Sequence, residues 1–132
     1  MSIDIKVGYP KNSTEIERYI QICIESGLRS AWAALGPYDQ HLSLFAFKDS
    51  TVIGGLVCLM DDHEVEVDTF AIQQQFRGRG IDKILLKELS NQLKNRGIDI
   101  VKFIPKSGTE RYYTRMGSSY NQPNDGYMVR PL

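Results

Sequence analysis

The segment Gln75-Phe76-Arg77-Gly78-Arg79-Gly80-Ile81 constrains this chain more than any other, because it joins two elements of different periodicity with almost no linker. Before it, Val65 to Ile72 reads as a strand. After it, the apolar positions Ile81, Ile84, Leu85, Leu89 and Leu93 follow i, i+3, i+4, i+8 and i+12, and Asn95-Arg96-Gly97 supplies a C-terminal glycine cap. A helix that starts directly after a strand points its first N–H groups, which have no intrahelical acceptor, at whatever lies beyond its end. Two glycines let the backbone approach an anion closely there, and Arg77 and Arg79 add positive charge, so the loop suits a diphosphate. A dinucleotide fingerprint would need a third glycine at Lys83, and a P-loop would need Gly-Lys-Ser/Thr; neither is present.

Charge balance makes that loop stand out. Lys plus Arg and Asp plus Glu both number 16, so no global field favours nucleic acid or an anionic membrane, and an anion site has to be built locally. The length of 132 residues fits a single domain, residues 1–132, with a core large enough to need no disulfide or metal staple. Cys23 and Cys58 lie in apolar surroundings without metal-ligand spacing, and neither His41 nor His63 forms a helical pair, so buried thiols and no metal are expected. The N-terminus carries no basic segment followed by an apolar run, and no stretch is apolar for the 18 or so residues that span a bilayer, which makes the cytoplasm the expected location.

The rest of the chain supplies the elements around the loop. Ile3, Ile5 and Val7 alternate as a first strand. Asn12-Ser13-Thr14 cap a helix whose apolar set is Ile16, Tyr19, Ile20, Cys23 and Ile24, ending by Gly27. Leu28 to Tyr38 suggests a second short helix broken at Gly36-Pro37. Leu42 to Phe47, Thr51 to Met60 and Val65 to Ile72 read as three consecutive antiparallel strands, turning at Lys48-Asp49-Ser50 and at Asp61-Asp62. Ile98 to Ile104 is a further strand, Gly108 to Met116 a short helix, and Tyr127 to Val129 a last strand. The order implies an α/β (α+β) fold: a mixed, mostly antiparallel sheet of about six to seven strands flanked by three to four helices.

Two segments carry a family resemblance. Arg77-Gly78-Arg79-Gly80-Ile81-Asp82 resembles motif A of the GNAT N-acetyltransferase superfamily, Gln/Arg-x-x-Gly-x-Gly/Ala, and follows the hydrophobic strand end Phe70-Ala71-Ile72. Tyr112-Tyr113-Thr114-Arg115-Met116-Gly117 resembles the second motif, an aromatic-Tyr pair ahead of a basic residue and a glycine. Asp82 departs from the pattern, standing where the family has glycine or alanine.

The resemblance implies a GNAT-like fold and direct acetyl transfer from acetyl-CoA to a primary amine of a small molecule or protein, without a covalent enzyme intermediate. It places the pyrophosphate on Arg77, Gly78, Arg79, Gly80, Ile81, Asp82 and Lys83, and implies a bulge in the fourth strand whose backbone groups, at Phe70, Ala71 and Ile72, pair with the pantetheine arm. It makes Tyr113 the proton donor to the departing thiol, while Tyr112 packs inside. It puts Trp32, Tyr38 and His41 near the acceptor and lets the segment 118–132 offer a strand to a second copy, a possible homodimer.

An alkylamine of pKa about 10.4 is protonated at neutral pH and needs a base before it attacks. Glu64, Glu66 and Asp68 alternate along one strand and so share a face. The family positions point to Glu66 first and Asp68 second as that base, although the same alternation describes the solvated face of a half-buried strand. Mutual repulsion and partial burial would raise the pKa of one of them toward usefulness. The alternative reading is a catalytically weak, acetyl-CoA-sensing regulatory module on the same fold.

Overall fold

Nearly continuous apolar runs at residues 42–47 and 52–58, buried on both faces, form the middle of the sheet, and the amphipathic helices cover it. The computed structural model describes residues 4–28, 41–60, 65–98, 100–104, 110–115, 118–120 and 127–131. In chain order the elements are β1 Ile5–Gly8, α1 Ser13–Glu25, β2 His41–Lys48, β3 Thr51–Met60, β4 Val65–Ile72, α2 Ile81–Lys94, β5 Ile100–Phe103, α3 Glu110–Arg115, β6 Ser119–Tyr120 and β7 Met128–Pro131. One 3-10 turn, Gln74–Phe76, precedes α2.

The seven strands form one sheet in the order β1-β2-β3-β4-β5-β7-β6. Every pairing is antiparallel except β4 with β5, which is parallel because α2 crosses between them. The β2–β3 turn is made by Asp49 and Ser50, both at positive φ as a two-residue hairpin turn requires. The mixed, mostly antiparallel sheet is the expected one. The two-residue β6 was not anticipated, since so short a strand has no period to read, and the segment 118–132 supplies β6 and β7 to the chain's own sheet.

Two cores lie on opposite faces. On one, Ile81, Leu85, Leu89 and Leu93 of α2 pack against Leu42, Leu44, Leu56 and Val65. On the other, Ile16, Tyr19, Ile22 and Cys23 of α1 pack against Phe45, Phe47, Val57 and Ala71. The buried faces are shifted slightly from the expected sets: Ile22 is buried, while Ile24 and Ile84 are exposed. The Asn12 side chain caps α1 by accepting from the Glu15 N–H at 2.9 Å, satisfying one of the orphan donors. Residues 29–40, with the expected second helix, fall outside the described residues apart from Leu28, as does the Asp61-Asp62 turn. No helix among the described residues is long and apolar enough to cross a membrane.

Candidate active site

The sheet splits where β4 and β5 part. Their ladder holds only Glu66 with Lys102 and Val67 with Phe103, yet β4 runs on to Ile72. Past that point β4 remains paired with β3 alone, so one row of its backbone groups has no strand partner among the described residues. Into this gap opens a cleft of about 640 Å3. Its walls are Val67 to Ile72 of β4, Val101, Phe103 and Ile104 at β5, Arg130 of β7, and Phe76, Arg77, Gly78, Ile81, Asp82 and Leu86 around the start of α2. Ser26 and Leu28, just past α1, complete it. An extended ligand with amide groups fits an open strand edge of this kind, because it can take the place of a strand.

A bulge in β4 sets which side chains face which side. Val57 pairs with Thr69 and Cys58 with Val67, leaving Asp68 as an extra residue. Val65 and Val67 before it, and Phe70 and Ile72 after it, all pack on the α2 face. Thr69 and Ala71 therefore turn to the α1 face, where the Thr69 hydroxyl meets Tyr19 and Ala71 joins the core. Without the bulge the second half of the strand would present the opposite residues to each helix.

Asp68 lines the cleft and reaches solvent, whereas Glu66 is half-buried and outside the cleft lining. The carboxyl of Asp68 is raised above the ordinary value, first by burial among its neighbours and next by the Glu66 charge, with the His41 imidazole pulling the other way. His41, Leu59 and Glu66 are paired in sequence across β2, β3 and β4, so Glu66 and His41 belong to one row of the sheet. Lys102, opposite Glu66 on β5, lies over the Tyr127 ring at 4.9 Å. The two thiols are unsuited to nucleophilic chemistry. Cys23 and Cys58 are buried, and burial pushes the Cys58 thiol up to about 12 and raises that of Cys23.

The loop before α2 turns at two left-handed glycines. Gly78 and Gly80 take φ of 75° and 80°, the left-handed region, and Gly80 is the N-cap of α2 with no side-chain hydrogen bond to the first turn. The N-cap residue therefore offers no side chain to the first-turn N–H groups, which lie at the mouth of the cleft. Arg79 and Lys83 are exposed, and Arg79 lies over the Phe76 ring at 5.8 Å. A carboxylate in the first turn, here Asp82, stabilises the positive end of a helix by about 0.3–1 kcal/mol and would compete there with an anion.

Arg77 does something that the sequence did not announce. Its Nε donates to the Ile72 carbonyl at 2.9 Å and its guanidinium donates to the Ser26 hydroxyl at 3.0 Å. It therefore ties the end of β4 to the end of α1 across the cleft, in addition to bringing charge to the loop.

The structure thus brings Asp68, Phe70, Ala71, Ile72, Arg77, Gly78, Ile81 and Asp82 to one cleft, with Gly80 between Gly78 and Ile81 in the same loop. Tyr112 and Tyr113 lie in the backbone of α3, but their side chains are outside the described ones, as are Trp32, Tyr38, His63 and Glu64 altogether. Sequence reasoning missed Arg130 and Thr69. Nothing in the sequence separates Arg130 from the chain's other arginines, and the alternation Val65, Val67, Thr69 makes Thr69 read as an ordinary inward residue.

Residues 13–117 match the family model described as the acetyltransferase (GNAT) family. Several solved structures have a similar fold. The ribosomal-protein-S18-alanine N-acetyltransferase from Escherichia coli aligns with a TM-score of 0.79 at 14% identity, covering 98% of this chain and 94% of that one. The PaiA N-acetyltransferase from Thermoplasma acidophilum, in complex with coenzyme A, aligns at 0.76 and 19% identity, covering 100% of both chains. Tetrahymena GCN5 aligns at 0.79 and 14% identity, covering 98% of this chain and 96% of that one. No curated protein matches the sequence.

Proposed function

The chain belongs to the GNAT acetyltransferase family and is an acyltransferase by that membership, and from this premise we propose that it moves an acetyl group from acetyl-CoA directly to a primary amine of a small molecule or a protein. The observation that carries the reading is the meeting of three features at one cleft: the open β4 edge, the start of α2 with its glycine N-cap and two left-handed glycines, and the Asp68 carboxyl. Each suits one part of the cosubstrate and acceptor pair.

The residues present fit acetyl-CoA. The N–H groups at the start of α2, with Arg79 and Lys83 nearby, would hold the pyrophosphate. The backbone of Phe70 to Ile72 would pair with the amides of the pantetheine arm, with Phe70, Val101, Phe103 and Leu86 as apolar walls. When bound, acetyl-CoA supplies the activated acyl group. Asp68 takes the proton of the acceptor ammonium, directly or through a water, so that the nitrogen lone pair can attack the thioester carbon. Tyr113 gives a proton to the sulfur that leaves as the C–S bond breaks; a phenol of pKa about 10 is protonated at neutral pH and can do so. The raised, buried thiols give the chain no ready thiolate for an acyl-enzyme step, which agrees with direct transfer. The geometry favours Asp68 over Glu66 as the base, because Asp68 lines the cleft and its carboxyl is shifted toward neutrality.

Thermal unfolding tests the cosubstrate assignment. Acetyl-CoA at about 100 times its dissociation constant stabilises by roughly 2.7 kcal/mol, so the midpoint should rise by at least about 5 °C. An unchanged midpoint at millimolar acetyl-CoA would sink it.

A further inference from the structure

Tyr19 raises a question that the cleft residues do not answer. It is fully buried in the apolar core on the α1 face, and its hydroxyl is a polar group inside that core. Its hydroxyl lies 2.8 Å from Thr69 Oγ1 and donates to the Gly55 carbonyl at 3.2 Å. A buried hydroxyl must be satisfied, and these partners belong to two different strands. Gly55 is on β3, and Thr69 is the residue immediately after the bulged Asp68 on β4. The ring is held as tightly as the hydroxyl. It stacks on Phe45 with centroids 4.7 Å apart, and a Cβ on Gly55 would come within 3.0 Å of its Cε1.

We propose that Tyr19 is a positioning residue for acetyl transfer: through Thr69 it locks the β4 bulge in place and so aims the Asp68 carboxylate into the cleft. The inference rests on the reading of Asp68 as the base. A bulge is one extra residue that can slide along a ladder, and a slide here would turn Thr69 off the α1 face and change the aim of Asp68 beside it. The hydroxyl tie opposes that slide, because moving Thr69 to the other face would leave two buried hydroxyls without each other. It also fixes the peptide groups of Thr69 and Phe70 at the cleft edge. Asp68 is faced by Glu66 on its own strand, His41 on β2, Cys58 on β3, and Tyr19 and Cys23 on α1, with Arg130 of β7 across the same cleft. Holding the carboxylate among these groups keeps it partly out of water, and release of the bulge would expose it further.

The test uses the full chain and compares wild type with Tyr19→Phe, Thr69→Val and Thr69→Ser. Read for each are the thermal midpoint, acetyl-CoA affinity, kcat, the KM of the amine and the acidic limb of kcat/KM. Removing the tie should lower kcat by about tenfold or more in Tyr19→Phe and Thr69→Val, since small misplacements of reacting groups cost that much. Acetyl-CoA affinity should stay within about twofold, and the acidic limb should move down toward the ordinary carboxylate range near 3.9 as Asp68 is rehydrated. Thr69→Ser keeps the hydroxyl and should retain most of the rate. Should Tyr19→Phe fail to fold, the contrast between Thr69→Val and Thr69→Ser decides the same point. An active wild type alongside folded variants with unchanged kcat and unchanged acidic limb would overturn this inference alone. A wild type that binds acetyl-CoA but transfers to no amine would overturn the reading of Asp68 and this inference with it.

Discussion

Asp68→Asn lowers kcat/KM for the amine at neutral pH by about 10²–10³-fold, within the range that a positioned general base contributes, while acetyl-CoA binds as before. The expectation follows from where the carboxyl sits. Its side chain lines the cleft next to the open β4 edge, and burial together with Glu66 holds its pKa above the ordinary value. Glu66→Gln, by contrast, changes the rate only a few-fold, because Glu66 acts on the site through its charge on Asp68. In wild type the rate falls with decreasing pH as Asp68 is protonated, on a limb above the ordinary carboxylate value of about 3.9; that limb disappears in Asp68→Asn.

Stability changes in the other direction. A carboxyl whose folded pKa is raised stabilises the fold when protonated, a contribution present below its unfolded pKa and lost as pH rises through the folded one. At neutral pH Asp68 is therefore a small burden on the fold, and Asp68→Asn should leave the thermal midpoint unchanged or slightly higher. A large fall in midpoint alongside the loss of rate would assign Asp68 to structure.

The double variant Gly78→Ala/Gly80→Ala weakens acetyl-CoA binding by about tenfold or more, a loss of about 1.4 kcal/mol or greater. A Cβ at either position would meet nothing within 4 Å, so the effect cannot come from crowding. It comes from the backbone: φ of 75° and 80° costs an L-residue about 1–2 kcal/mol each. To escape that strain the loop must rotate its peptide groups, and the N–H groups at the start of α2 rotate with it. Titration of acetyl-CoA into folded protein measures the result. Unchanged affinity would mean that the anion does not bind at the start of α2.

Much of this architecture was readable because the relevant signals are local. Gly78 and Gly80 between a strand and an amphipathic helix specify the turn by themselves, and Asn12 before Ser13 specifies a helix start. The residue pattern by itself does not show the bulge, which only the family resemblance implies. Val65-Glu66-Val67-Asp68 alternates, but Phe70, Ala71 and Ile72 are all apolar, so the change of phase after Asp68 leaves no trace in the pattern. The same holds for Arg77, whose tie to Ser26 joins residues 51 apart and depends on how two elements pack. The order of preference between Glu66 and Asp68 also needed three dimensions, since only the parting of β4 and β5 distinguishes a carboxyl in the cleft from one beside it.

The measurement that tests the central claim most directly is incubation of the protein with acetyl-CoA and a panel of primary amines, reading free thiol and acetylated amine together. The account predicts thiol and acetylated product in equal amounts, formed at rates that depend on the amine and drop sharply in Asp68→Asn. Saturable binding of acetyl-CoA with no thiol release above buffer for any amine in the panel would contradict it and leave a cosubstrate-sensing module in its place.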